Sequence, residues 1–285
     1  MDECRLPDRA IVVVEGDDGE SLLNRLFTNS VLDMRVGTAR YAALLSPQGK
    51  LLFDFLVAKR PDAFWIDVAR SMAADLARKL NMFKMRANAT IGVRDDLVVA
   101  ASWDGPLMEA PGAVFRDPRH NDLGYRIVAT CTDLLAVPDD SRSYRTHRIA
   151  LGIPEGGVDF PYGDTFVHDA NLDLLHGVDF AKGCYVGQEV VSRVHHRGSA
   201  RKRIVQVTFY GDAADPGTAL LVGEGPPIGT ITSVEGRVGL AAVRLDRLDD
   251  AEAIAAPVLA GGTLVGIKRP QESHVTPPSY ADHDF

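Results

Sequence analysis

From Arg203 onward the chain changes texture. Short runs of strand-forming residues (204–210, 219–222, 229–234, 238–243 and 263–267) alternate with Gly, Pro and Asp turns. That spacing predicts a small antiparallel barrel or sandwich. The residues before it mix strand-like and helix-like segments, so the chain divides near residue 200, as its 285 residues also suggest. The polar stretch 271–285 carries Pro277 and Pro278 and reads as a loose tail.

In the first part, the apolar run 10–14 is a buried strand stopped by Gly16. Asp17 or Asp18 caps a helix on which Leu22, Leu23, Leu26 and Phe27 recur at helical spacing. Two apolar runs, 39–45 and 51–58, flank Ser-Pro-Gln-Gly-Lys (46–50), in which Pro47 sets φ and Gly49 permits positive φ, so they predict a hairpin. A strand at 64–68 precedes a helix at 71–83 with Met72, Leu76, Leu80 and Phe83 on one face. Further strands are expected at 91–93, 97–101 and 125–129, and a helix at 142–151 ending at Gly152.

Composition narrows the function classes. A net charge of −8 argues against a protein that coats nucleic acid through bulk charge, so any anion site must be a local patch. No apolar run approaches the ~18 residues of a membrane span. The first residues, MDECRLPDRA, lack the apolar core of a secretion signal. Cys4, Cys131 and Cys184 are few and scattered, which fits a reducing interior, and the expected location is the cytoplasm. The fingerprints of dinucleotide-binding, P-loop, α/β-hydrolase and zinc-protease chemistry are all missing.

The densest segment is FAKGCYVGQEVVSRVHHRGSARKR, 180–203. Gly183 and Gly187 allow tight turns on either side of Cys184, and 188–194 can form a helix with Val190, Val191 and Val194 inward. A thiol near a helix N-terminus and two residues from Lys182 has its thiolate favoured, which makes Cys184 a reactive-thiol candidate. The alternative is a small buried hydrophobe in a turn. Arg193, Arg197, Arg201, Lys202 and Arg203 gather five cations around His195 and His196, either an anion-attracting patch or a solvated linker. No metal triad is expected from this spacing. Asp54 lies between Phe53 and Phe55 in an apolar strand, where a buried carboxylate needs a partner or a use; strand alternation could equally turn it to solvent.

Lys182, Gly183, Cys184, Tyr185, Val186, Gly187, Gln188 and Glu189 together resemble the signature octapeptide of the YgfZ family of folate-binding proteins, relatives of the glycine-cleavage T-protein, an aminomethyltransferase. The likeness extends through 25–31 (RLFTNSV), 44–57 (LLSPQGKLLFDFLV), 148–154 (RIALGIP), 170–174 (ANLDL) and 196–198 (HRG), in the family's order. It implies an α+β fold of T-protein type. Two intertwined α+β subdomains (1–200) would surround a central hole, followed by a C-terminal antiparallel β-barrel (201–270) and a flexible tail (271–285).

The resemblance also implies tetrahydrofolate, or a one-carbon derivative, in that hole. Carried onto this chain, Asp54 falls where T-proteins keep the acid near the folate's reactive nitrogens, and Tyr41 on a pocket tyrosine. Asp169 stands where relatives have a Glu on the pterin ring, and Tyr144 on an aromatic folate position. The matching N-terminal Trp is Arg9 here, which lacks a ring. Arg197, on the strength of the basic patch and not of the resemblance, is the candidate for a folate glutamate tail. The function implied is a folate-binding accessory factor for iron–sulfur cluster assembly or repair, with Cys184 as its working residue. Its partners would be client enzymes or assembly proteins, without membrane or direct nucleic-acid binding, and any effect on tRNA modification would be indirect. The competing function is a one-carbon transferase using Asp54.

Overall fold

The structure, a computed structural model of the chain, describes residues 2–105, 110–197 (of Arg197 the backbone alone) and 200–272. The order of elements begins β1 (Asp2–Arg5), β2 (Arg9–Glu15), α1 (Gly19–Leu26), β3 (Ala39–Leu45), β4 (Leu51–Lys59), β5 (Ala63–Ala69) and α2 (Arg70–Lys84). It continues with β6 (Thr90–Arg94), β7 (Leu97–Trp103), β8 (Ala113–Arg116), β9 (Tyr125–Thr130), α3 (Ser141–Ala150) and α4 (Gln188–Arg197). The C-terminal part is β10 (Lys202–Phe209), β11 (Ala219–Val222), β12 (Gly229–Glu235), β13 (Val238–Arg244), α5 (Leu245–Ala253), β14 (Val258–Ala260) and β15 (Thr263–Lys268).

Two antiparallel sheets form the first part: one ordered β3-β4-β5-β2-β6, the other β1-β7-β9-β8. Strand β2 is apolar on both sides because both are covered. Ala10, Val12 and Val14 face a core shared with α1 and α2, while Ile11 and Val13 face the opposite core, shared with β7. The expected hairpin is β3–β4. Gly49 takes φ +77 at its turn, and a bulge at Leu44/Leu45 shifts the register. Helix α2 buries Ala73, Leu76, Ala77 and Leu80. The expected stripe on Met72 and Phe83 has therefore rotated. Two alanines let the helix approach the sheet closely, and Phe83 moves to the exposed edge.

The C-terminal part is a closed antiparallel barrel, β10-β13-β12-β11-β14-β15, filled by residues such as Val207, Phe209, Leu220, Ile231 and Val265. Strands β1, β8 and β14 are three or four residues long and carry too little pattern to stand out in sequence. Between α3 and α4 the chain runs 37 residues, 151–187, as turns and bridges. This segment is fastened to α3 and to the barrel. Arg148 on α3 donates to Asp159 Oδ2 at 2.8 Å, and Asp159 Oδ1 accepts from Thr232 (2.8 Å) and Ser233 on the barrel. Asn171 donates to the Ile204 carbonyl of β10 at 2.7 Å.

Candidate functional site

Asp54 points inward from β4 and is 5% exposed. Its Oδ2 accepts from the Tyr41 hydroxyl at 2.8 Å, and Oδ1 accepts from the Tyr162 hydroxyl. Burial and the adjacent carboxylate push both phenols well above the usual tyrosine range, so both remain donors. Gly156 closes over the pair, since a Cβ there would lie 2.2 Å from both Asp54 Oδ1 and the Tyr162 oxygen. The long turn segment thus supplies the second hydroxyl.

A larger buried polar group lies between the two sheets. Arg9 on β2 donates to Asp67 of β5 at 2.7 Å. Arg119 donates to both oxygens of Asp117, at 3.0 and 2.7 Å, and Arg126 on β9 reaches Asp117 Oδ2 at 3.3 Å. Both guanidiniums also donate to the Tyr144 hydroxyl, at 3.0 and 2.6 Å. Burial pushes the Asp117 carboxyl up, but Arg119 and Arg126 outweigh it and hold it well below the usual carboxylate range. The Tyr144 ring lies under Arg126, with Trp103 edge-on at 5.7 Å. Asp67 Oδ2 and Arg126 Nη1 face each other at 3.9 Å and have no hydrogen bond among the described residues.

The octapeptide lies at the far end of the same stitching. Thr28 donates to the Gly177 carbonyl (2.6 Å) and accepts from the Ala43 amide (2.9 Å). Asn29 donates to the Tyr41 and His176 carbonyls at 2.9 and 2.7 Å. The Thr-Asn step therefore ties β3 to the chain entering the octapeptide. Lys182 Nζ then donates to the Asn24, Phe27 and Asn29 carbonyls at 2.8, 2.7 and 2.8 Å, closing the C-terminal end of α1. Burial lowers its pKa to about 8, with Asp179 opposing. Gly187, at φ +83, packs on the hairpin turn, where a Cβ would come 2.7 Å from the Ser46 carbonyl oxygen. Tyr185 is buried and Cys184 is exposed.

These facts revise several expectations. Cys184 is no buried hydrophobe, but its neighbouring cation is engaged with carbonyls of α1. Gly183 needs no special backbone and a Cβ there meets open space, so Gly187 alone makes the turn. In α4, Val191 is buried while Val190 and Val194 are half-buried. Gln188 is half-buried in its first turn, and Glu189 pairs with Arg193 at 2.6 Å. The basic patch divides: Arg203 pairs with Asp173, Arg201 and Lys202 are exposed, and the Arg197 side chain lies outside the described residues. His195 stacks on Phe180 at 3.7 Å. Asp169 is half-buried apart from the Asp54 group, near Lys202 and Lys50, and burial raises its pKa against them. Among the described residues no three His, Cys, Asp or Glu side chains gather as a metal site, and no helix is long and apolar enough to cross a membrane. Sequence inspection passed over Asp67, Arg126 and Tyr162. Asp67 and Arg126 sit inside apolar strands, AFWIDVA and YRIVAT, the same signal that marked Asp54.

Residues 10–107 match the family model of the GCVT N-terminal domain, and 201–274 match that of the CAF17 C-terminal beta-barrel domain. Three curated relatives are called iron-sulfur cluster assembly factor IBA57 or its homolog, mitochondrial. The mouse (Mus musculus) protein is 31% identical over 278 residues, covering 86% of this chain and 78% of the relative. The human (Homo sapiens) protein is 30% identical over 269 residues, covering 83% and 76%. The Mycosarcoma maydis protein is 34% identical over 229 residues, 73% of this chain, and there the match spans only 57% of the relative. The crystal structure of glycine cleavage system aminomethyltransferase T from Bartonella henselae superposes with a TM-score of 0.73 at 16% identity, over 94% of this chain and 84% of that one. The fold is thus the T-protein fold with a C-terminal barrel, as expected. The cytoplasmic expectation is corrected, because the relatives are named mitochondrial. Scattered free thiols indicate a reducing environment and do not distinguish one reducing compartment from another.

Proposed function

Because this chain belongs to the family of the iron–sulfur cluster assembly factor IBA57, we propose that it is an accessory factor in iron–sulfur cluster assembly, acting through Cys184 and together with partner assembly proteins. The observation that carries this is the way the octapeptide is held. Lys182 and Gly187 fix the loop to the end of α1 and to the β3–β4 turn, and Tyr185 is buried in the core, while the Cys184 thiol is exposed. One thiol cannot hold a cluster that needs several ligands, so a partner must supply the others. Effects on tRNA modification would follow indirectly, through iron–sulfur-dependent enzymes.

Cells lacking their own relative of this protein, supplied with wild type or Cys184→Ser, provide the test. Wild type should restore the activity of an iron–sulfur enzyme, and Cys184→Ser should not, at equal protein level and equal melting temperature. Full rescue by the variant would remove Cys184 from the function, and failure of wild type would remove the function itself.

Tetrahydrofolate is part of the proposal as a bound ligand. The donor set fits a pterin held from Asp169, a half-buried carboxylate that takes a hydrogen bond from the Phe166 backbone and keeps lone pairs able to accept two N–H bonds from the ring's guanidine-like edge. Asp54 has one tyrosine hydroxyl on each oxygen and keeps a second lone pair on both, so it remains the candidate acid of the competing transferase function, which the names of the relatives do not favour. When bound, folate would supply one-carbon chemistry, and Asp169 would hold and orient its ring. Calorimetric titration with tetrahydrofolate should show binding that weakens at least ~10-fold in Asp169→Ala, the loss of about one charge-assisted hydrogen-bonded contact. No binding by wild type would end the folate proposal and leave the Cys184 proposal standing.

A further inference from the structure

An open groove of about 590 Å³ lies between α1 and the end of α2. Leu22, Leu26, Phe83 and Met85 give it apolar walls. Arg25, Lys84 and Arg86 line it as well, and none of the three has an ion pair among the described residues. Its one acid, Asp18, is engaged by the Asn88 amide at 2.7 Å. A protein of net charge −8 thus carries a concentrated positive, apolar concavity on its outer face.

The end of α2 is built against local preference. The position just past a helix favours Gly or Asn because φ turns positive there. Here it is Met85, at φ 49, with 86% of its surface exposed, and Met82 one turn earlier is 67% exposed. Strain at a non-Gly residue and unburied methionines both disfavour the isolated fold. Flexible thioether side chains are, however, suited to contact surfaces that accommodate a partner. We infer that this groove is a docking site for an acidic amphipathic helix of a partner protein, whose apolar side chains enter between Leu26, Phe83 and Met85 while its carboxylates meet Arg25, Lys84 and Arg86. Concavity favours a peptide over a lipid surface, since a bilayer presents no side chains to fill a groove. Helix α1 also carries the carbonyls that hold Lys182, so a docked partner and the Cys184 loop share one anchor. The inference concerns binding alone and does not depend on what Cys184 does.

The test pans a display library of 16-residue peptides on the full chain and measures enriched peptides by fluorescence anisotropy at 0.15 M salt. Enriched sequences should place Asp or Glu beside Leu, Met, Phe or Trp at helical spacing. Their Kd should weaken at least ~10-fold in the triple variant R25E/K84E/R86E and ~3-fold or more in Met85→Ser, and it should weaken with added salt. If the triple variant does not fold by circular dichroism, Lys84→Glu and Arg86→Glu are measured singly, each expected to weaken binding ~3-fold. Absence of enrichment, enrichment of basic peptides, or affinity unchanged in the variants would overturn the inference. So would sedimentation with phosphatidylserine vesicles through the same cations without peptide binding, which would make the groove a membrane contact.

Discussion

The buried polar group between the sheets and the octapeptide loop handle charge in opposite ways. In the first, Arg9, Arg119, Arg126, Asp67 and Asp117 are drawn out of water and pair with one another and with Tyr144, leaving only Asp67 Oδ2 and Arg126 Nη1 of this group without a hydrogen bond among the described residues. In the second, a half-buried cation, Lys182, is satisfied by backbone carbonyls, and the Cys184 thiol is left in solvent. Internal pairing makes the first group a brace that holds the two sheets in register. Backbone anchoring makes the second a mount, rigid at its base and open at its tip. On the proposed function the reacting group is the loop's exposed Cys184, and the carboxylates and guanidiniums of the centre brace the two sheets.

That contrast should break most visibly at the centre. Arg126→Met leaves Asp117 and the Tyr144 hydroxyl buried with fewer partners and should cost about 3–5 kcal/mol in urea unfolding, as removal of one member of a buried ion pair does. The acid side carries the same signature. The folded pKa of Asp117 is depressed, so its stabilisation is complete above the unfolded value of ~3.9 and is lost as pH falls below it. Asp117→Asn should flatten the acid limb of the stability curve below about pH 4 as well as lowering its plateau. An unchanged limb would show that the guanidiniums do not hold this carboxylate.

Gly187→Ala comes next. It sets a Cβ at φ +83 against the Ser46 carbonyl, and it should destabilise by about 1–3 kcal/mol from backbone strain alone. Gly183→Ala, in open space, should be close to neutral, and equal effects at the two glycines would refute the anchoring described for the loop.

The smallest effect is a slope. Lys182 has a folded pKa near 8, below its unfolded value of ~10.4, so between these the unfolded chain binds more protons and this group's contribution to stability rises with pH. The stability difference between wild type and Lys182→Met should therefore shift in favour of wild type from pH 8 to pH 10. A flat difference would mean that the ammonium is not buried against the α1 carbonyls.

Much of the architecture was legible in the sequence, since each long strand and helix repeats its apolar signal over several residues. Strand β2, the β3–β4 hairpin with its Gly49 turn and five of the six barrel strands follow from period and turn chemistry, β14 being too short to show. The octapeptide could be recognised because its residues are contiguous, and Asp54 because it interrupts an apolar run. The partners of these residues were not legible. Tyr162 lies 108 positions from Asp54, and Asn24 lies 158 from Lys182. Arg126 and Asp67 carried the same signal as Asp54 and could have been found by applying it evenly.

By itself, then, the sequence determined which segments are strands and helices, where the barrel begins to take over, and that one octapeptide carries an unusual concentration of turn, cation and thiol. Only the tertiary structure decided that Asp54 is held by two tyrosines, that Lys182 faces α1 and not Cys184, and that the basic run is divided between Asp173, Glu189 and solvent. The reason is physical. Hydrophobic period is a local property of the chain, whereas the pairing of a buried charge depends on which distant segment folding brings within about 3 Å of it.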